Sequence, residues 1–186
     1  MNYNGTERKP EFVLNYDGLP LKENEDYRVE YSQDVINAGE VTVKFIATER
    51  PGGYKGEKEQ TYTIRPKNLT DSDVTIKTSK GSYDYTGSDI EAPVTVTVDG
   101  AELVKDRDYK LEYRDNTQIG RATVIVTGIN NCSGQKELNF NIVRADISKA
   151  QKYTGKAITP SVKVTYAGRN LKKGTDYTVA YSNNKK

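Results

Sequence analysis

The side chains that could carry out catalysis are few. The chain has no histidine, so it lacks the most common general base and the imidazole metal ligand. Its single cysteine, Cys132, has no histidine to activate it, and one cysteine cannot form a disulfide within the chain. We therefore expect no nucleophile–base pair, no metal ligand and no cofactor.

Acidic residues recur in one loop that is repeated along the chain. Glu25-Asp26, Asp106 with Asp108, and Asp176 each precede a similar stretch of sequence. A pair of carboxylates can hydrolyse a glycosidic bond. Such a catalytic pair should occur once in the chain and lie in a cleft, whereas these acids recur in every repeat. We expect each aspartate to cap its loop by accepting backbone N–H bonds, and we predict that the chain is not an enzyme.

The sequence also allows two other kinds of site, a calcium site and an isopeptide bond. Asp71-Ser72-Asp73 could hold calcium between domains, but calcium takes six or more oxygen ligands, so a solvated turn is the better interpretation. An isopeptide bond between a lysine and an asparagine or aspartate would need a buried lysine beside an acid. No lysine occupies an inward position that the repeats share.

Tyrosine supplies most of the aromatic content, with 14 copies against three phenylalanines and no tryptophan. Tyrosine can stack on sugars, but most copies occur at repeated positions and are expected to build the core. The six predicted core tyrosines are Tyr27, Tyr31, Tyr109, Tyr113, Tyr177 and Tyr181. The segment "ERPGGYKG" from Glu49 to Gly56 is longer than its counterpart, so Tyr54, Arg50 and Lys55 form the candidate ligand loop.

One strand is written three times, as "DYRVEY" at 26–31, "DYKLEY" at 108–113 and "DYTVAY" at 176–181. A glycine precedes each Asp-Tyr by eight residues, and a Tyr-x-Gly lies further upstream. Such self-similarity indicates tandem units. The predicted repeats span residues 1–65, 66–143 and 144–186, and the third is expected to be truncated.

The apolar residues of each repeat alternate with polar ones, which predicts strands with one face inward. Alternation occurs before the glycine, as in Phe12, Leu14 and Tyr16, and again along each "DY" stretch. An added strand around Val74 and Ile76 is expected to lead the second repeat. The fold class is therefore all-β, with one small antiparallel β-sandwich in each repeat.

Charge and hydropathy exclude some partners. The net charge is +2, with 28 basic and 26 acidic residues interleaved, so no basic face is expected for nucleic acid. No apolar run approaches the length of a membrane span, and the polar start "MNYNGTERKP" does not read as a signal peptide.

The combined motif resembles a known family. Tyr-x-Gly, P-x-V-x-V, G-x-x-L-x(4)-D-Y-x-V-x-Y and A-T-V-x-V-T-G follow one another in this order. This order is similar to that in bacterial immunoglobulin-like repeats, of the YDG or MBG type, in surface proteins of Gram-positive bacteria. The resemblance implies tandem immunoglobulin-like sandwiches, secretion to the cell surface or cell wall, and no catalytic residues.

Two functions are compatible with that resemblance. The chain is expected to be a structural spacer whose partners are neighbouring repeats. The alternative is an adhesin module that binds host glycan or protein through its loops. Similar polar loops in every repeat favour the spacer, whereas one elaborated loop or an aromatic patch favours the adhesin.

Overall fold

A computed structural model describes residues 1–32, 34–48, 51, 53–147, 151–152 and 154–184. The chain is all-β: the described residues form strands and turns and no helix. The residues divide into two compact units, each made of several separate segments of the chain. The first comprises Met1–Thr75, Val96–Lys110 and Thr127–Gln135, and the second comprises Ile76–Thr95, Leu111–Val126 and Lys136–Lys186. Below, repeats 1, 2 and 3 denote residues 1–65, 66–143 and 144–186 as the sequence motifs define them, and their limits as domain boundaries stay a prediction.

The first repeat contains a short hairpin and a three-stranded antiparallel sheet. Their strands are β1 (Asn15–Tyr16), β2 (Leu19–Pro20), β3 (Tyr27–Tyr31), β4 (Gly39–Ala47) and β5 (Glu57–Ile64). β1 pairs with β2, and β3, β4 and β5 lie in that order. Alternation in β4 turns Val41, Val43 and Phe45 inward, and the buried Tyr27 ring contacts Phe45 edge-on.

The second repeat follows the same pattern with more strands. These are β6 (Lys67–Asn68), β7 (Val74–Thr78), β8 (Ser82–Asp84), β9 (Val94–Val98), β10 (Ala101–Glu102), β11 (Tyr109–Arg114), β12 (Gly120–Gly128), β13 (Cys132–Ser133) and β14 (Gln135–Ile147). β7 occupies the place where an added strand was expected, and it joins β9 and β10 in one sheet. β11, β12 and β14 are neighbours in another sheet, and β6 pairs with β13.

Two strands begin within the described residues of the third repeat, β15 (Val162–Tyr166) and β16 (Arg169–Asn170). β15 pairs antiparallel with the end of β14, from Arg144↔Thr165 to Ile147↔Val162. The strand predicted at 176–181 is wrong: only an isolated bridge between Lys173 and Tyr177 occurs there. The matching strands β3 and β11 pair with β4 and β12, and the described part of the third repeat supplies no such partner.

The loop before each "DY" stretch is closed in the same way three times. Asp26 accepts from Lys22 N at 2.9 Å, Asp108 from Val104 N at 2.8 Å, and Asp176 from Lys172 N at 2.7 Å. The predicted capping role of the three aspartates is thereby confirmed. The third copy keeps its loop geometry even though the following residues form no strand.

The repeated tyrosines fall into two groups by burial. Tyr27 and Tyr109, the first of each pair in repeats 1 and 2, are buried. The other four are half-buried: Tyr31, Tyr113, Tyr177 and Tyr181. The hydroxyl of Tyr113 donates to Ala92 O at 2.8 Å, and that of Tyr181 donates to the equivalent Pro160 O.

Candidate functional site

A buried carboxylate, Asp108, collects side chains from both of the first two repeats. It is fully inaccessible to solvent. The Tyr3 hydroxyl donates to Asp108 Oδ1 at 3.1 Å, and Asn131 Nδ2 donates to the same oxygen at 2.9 Å. The Arg107 guanidinium donates to Oδ2 at 2.8 Å. These contacts join the start of repeat 1 to two loops of repeat 2.

Asn131 extends this network to the start of β4. Its Oδ1 accepts from Ala38 N at 2.8 Å, and its Nδ2 also donates to Asn37 Oδ1 at 2.8 Å. The side chain is buried, so each of these polar groups needs its partner. We call the contacts among Tyr3, Asn37, Arg107, Asp108 and Asn131 the junction.

The junction keeps Asp108 ionised. Burial acts to raise the pKa of this carboxyl, but hydrogen bonds from Arg107, Val104 N and Asn131, together with the Arg107 charge, outweigh burial. The pKa of Asp108 therefore lies below its ordinary value. The equivalent Asp26 and Asp176 cap the same loop without being buried, so the junction is a property of the second copy alone.

A buried lysine lies beside the junction, on the segment that connects the two repeats. The Lys67 ammonium is 2.7 Å from Asp73 and 2.9 Å from Asp71. Burial acts to lower the pKa of Lys67, but hydrogen bonds from its ammonium to Asp73 and Asp71 raise it overall. The two acids considered above for calcium thus hold a cation of the chain. Within the described ranges no cluster of three or more His, Cys, Asp or Glu is placed to bind a metal.

The connecting segment docks on a loop of repeat 2 as a short parallel strand. Lys67 N donates to Asn131 O and Leu69 N donates to Ser133 O, both at 2.9 Å. Leu69 is buried, and so is the neighbouring Cys132. Burial raises the pKa of Cys132 to about 11, so this thiol is inert rather than nucleophilic.

A groove of about 550 Å³ opens in repeat 1, beside the predicted ligand loop. Tyr16 and Tyr54 both line it, with ring centroids 5.1 Å apart in an edge-on contact. Lys55 and Phe45 also line the groove. Two of the three predicted loop residues are therefore brought together, and the third, Arg50, lies outside the described residues.

The groove occupies the same place in repeat 1 as the docking loop in repeat 2. Ala47 N donates to Gly56 O at 3.0 Å, and Gly128 N donates to Gly134 O at 2.9 Å. Gly56 and Gly134 are therefore equivalent, and the residues two positions before them, Tyr54 and Cys132, are equivalent as well. The sequence patterns predicted no shared site for Tyr3, Lys67 and Asn131. The repeated Tyr-x-Gly motif is a sequence signal for Tyr3, whereas Lys67 and Asn131 lie outside the patterns that recur in all three repeats.

Comparisons with family models, with curated proteins and with solved structures give no match. The family resemblance therefore rests on the motifs in the sequence. None of the described residues forms a helix that is long and apolar enough to cross a membrane.

Proposed function

We propose that the chain is a non-catalytic structural spacer, built of tandem immunoglobulin-like β-sandwich repeats, in a surface protein of a Gram-positive bacterium. Its principal partners are neighbouring repeats. Support comes from the ordered motifs and from the loop hydrogen bonds that recur in all three copies. Each capping aspartate is held by backbone N–H groups, as expected of a structural position.

The observation that carries this proposal is the junction. A spacer must hold a set distance, so its repeats must not hinge freely against each other. Opening the junction would take the Tyr3 hydroxyl from Asp108 and the Asn37 and Ala38 groups from Asn131, and each hydrogen bond lost from a buried polar group costs free energy.

Hydrogen exchange on the whole chain tests the junction. Asp108→Ala should increase exchange of the Ala38 amide, because this amide of repeat 1 donates to Asn131 Oδ1, and Asp108 holds the Asn131 side chain. Asp26→Ala is the matched control, since it removes the same loop cap outside the junction. Equal protection of the Ala38 amide in Asp108→Ala and in the unmodified chain would show that the junction does not fix the repeats, and the spacer proposal would fail.

An adhesin is the second candidate, and the aromatic groove favours it. The rings of Tyr16 and Tyr54 are the kind of surface on which a sugar stacks. A screen against glycans and mucins tests this function. A ligand whose binding is lost in Tyr54→Ala, but kept in Tyr166→Ala, would make the adhesin the better proposal.

A further inference from the structure

The hairpin β1–β2 of repeat 1 leaves apolar surface uncovered. Tyr16 is 58% exposed, whereas Val98, its counterpart in repeat 2, is fully buried. Leu14 is half-buried, whereas its counterpart Val96 is fully buried. The two hairpins are equivalent because Leu21 N donates to Leu14 O and Leu103 N donates to Val96 O, in the same register.

The difference arises from one strand. In repeat 2 the hairpin β9–β10 has β7 along its outer edge, which makes a three-stranded sheet. Backbone bonds close both ends of that pairing, from Asp99 N to Asp73 O and from Ser79 N to Pro93 O. Among the described residues of repeat 1, β1 pairs with β2 alone, so the other edge of β1 has no strand beside it.

The groove shows the same difference a short distance away. In repeat 2, β6 lies on β13 and covers Cys132. In repeat 1 the corresponding residues 53–55 line an open groove. One continuous segment, Lys67–Thr78, thus covers both surfaces in repeat 2, first as β6 and then as β7.

We propose that repeat 1 is an acceptor for an extended peptide segment with the pattern of Lys67–Thr78, supplied by another repeat of the same kind. The edge of β1 and the groove beside Tyr54 bind it together, and this inference rests on the proposed function of the chain as an array. The acceptor adds the segment as a strand, so that backbone hydrogen bonds give affinity and alternate side chains give specificity.

The positions of the segment follow from repeat 2. Its lysine N–H donates to Gly53 O and its leucine N–H donates to Lys55 O, in place of Asn131 O and Ser133 O. The leucine enters the groove above Phe45, and the following Val-x-Ile alternation lies against Leu14 and Tyr16. A sugar could stack on the tyrosine rings but would leave the edge of β1 unpaired, so a peptide fits more of the surface.

Binding of a synthetic peptide tests the acceptor directly. The probe has the sequence of residues 65–79, RPKNLTDSDVTIKTS, and is added to the whole chain followed by NMR and hydrogen exchange. We expect saturable binding, with protection rising along Phe12–Tyr16 and Gly53–Gly56. The control peptide carries aspartate in place of the leucine and the isoleucine, and it should not bind.

Two variants locate the site on the chain. Tyr16→Asp should weaken binding by about tenfold or more, because it places a charge against the added strand. Leu19→Asp is the matched control, since Leu19 is equally exposed, at 64%, on the strand away from the open edge. Equal binding of the control peptide, or equal effects of the two variants, would overturn the proposal.

Attaching the segment covalently to the chain allows the test even if the free peptide binds too weakly to detect. A chain with a copy of residues 66–84 placed directly ahead of Tyr3 reproduces the spacing between Leu69 and Tyr85. Its repeat 1 should gain protection along β1, and an extension carrying the two aspartates should not.

If the peptide binds while Asp108→Ala leaves the junction protected, the acceptor stands and the spacer proposal fails. If the junction opens as expected but neither the peptide nor the extension protects β1, the acceptor fails and the spacer stands.

Discussion

The hydroxyl of Tyr3 donates a hydrogen bond to the buried Asp108 carboxylate, 105 residues further along the chain. Tyr3 belongs to the Tyr-x-Gly motif of the first repeat, and Asp108 belongs to the "DY" loop of the second. Both side chains are fully buried. Two residues that each repeat uses for its own packing thus also connect one repeat to the next.

Removing that hydroxyl should destabilise the chain. Tyr3→Phe leaves the ring in place but takes one donor from a buried ionised acceptor, which typically costs about 1.5–3 kcal/mol. Tyr85→Phe is the matched control, since Tyr85 is the equivalent tyrosine of repeat 2 and is half-buried. Urea unfolding of both variants gives the comparison, and equal losses of stability would contradict a special role for the junction.

Acid should weaken the junction. The pKa of Asp108 is lowered in the folded chain, so its stabilising effect is fully present above the ordinary aspartate pKa of about 3.9 and is lost as the pH falls through the folded value. The difference in unfolding free energy between the unmodified chain and Asp108→Asn should therefore shrink below about pH 4. A difference that stays constant from about pH 7 to about pH 2 would show that Asp108 is not stabilised as a carboxylate.

The motifs that recur three times in the sequence predicted those structural features that depend on residues close together in the chain. The capping aspartates are the clearest case, because each bonds to a backbone N–H only four residues away. The long central strands β4 and β12 also follow from apolar residues at alternate positions, Val41, Val43 and Phe45 in one and Ala122, Val124 and Val126 in the other. The all-β class was predictable for the same reason.

Features that depend on distant partners could not be predicted in this way. "DYTVAY" has the pattern of a strand but forms none, because strand formation requires a neighbouring strand. The alternation of Phe12, Leu14 and Tyr16 likewise yields only the two-residue β1. Asp26 and Asp108 read alike in the sequence, and only the approach of Tyr3 and Asn131 distinguishes them.

The thiol of Cys132 should be unreactive in the folded chain. Burial raises its pKa to about 11, so at pH 8 only about one thiol in a thousand is ionised, and the sulfur is also inaccessible. Iodoacetamide should modify it slowly without denaturant and rapidly in urea. Leu69→Ala, which weakens the docking of β6 on β13, should accelerate the native reaction. Rapid alkylation of the unmodified folded chain would contradict the docked arrangement.

Gly128 should not tolerate a larger residue. A Cβ at this position would lie 2.5 Å from Ser133 N and 2.7 Å from Cys132 C, and both atoms belong to the backbone of the docking loop. We expect Gly128→Ala to cost about 1–3 kcal/mol, as overpacking usually does, and to loosen β6. Repeat 1 already has Ala47 at the equivalent position, where Ala47→Gly should cost at most about 1 kcal/mol. Thermal unfolding of the two variants decides between this account and one in which the loop adjusts freely.

The second tyrosine of the repeated strand should matter more than the charges that flank it. The ring of Tyr113 contacts Phe140 edge-on, with centroids 6.4 Å apart, and its hydroxyl bonds to Ala92 O. Because the ring is only half-buried, Tyr113→Ala should cost about 3 kcal/mol, the lower end of the range for deleting a large aromatic side chain.

Lys110 and Glu112 lie on the opposite, exposed face of β11 and are the matched controls. Each change to alanine should alter the unfolding free energy by no more than about 0.5 kcal/mol. The three variants can be compared by chemical denaturation of the whole chain, followed by the signal of the remaining tyrosines. A larger loss from either charged residue than from Tyr113 would mean that the inward face of this strand has been assigned to the wrong set of alternate residues.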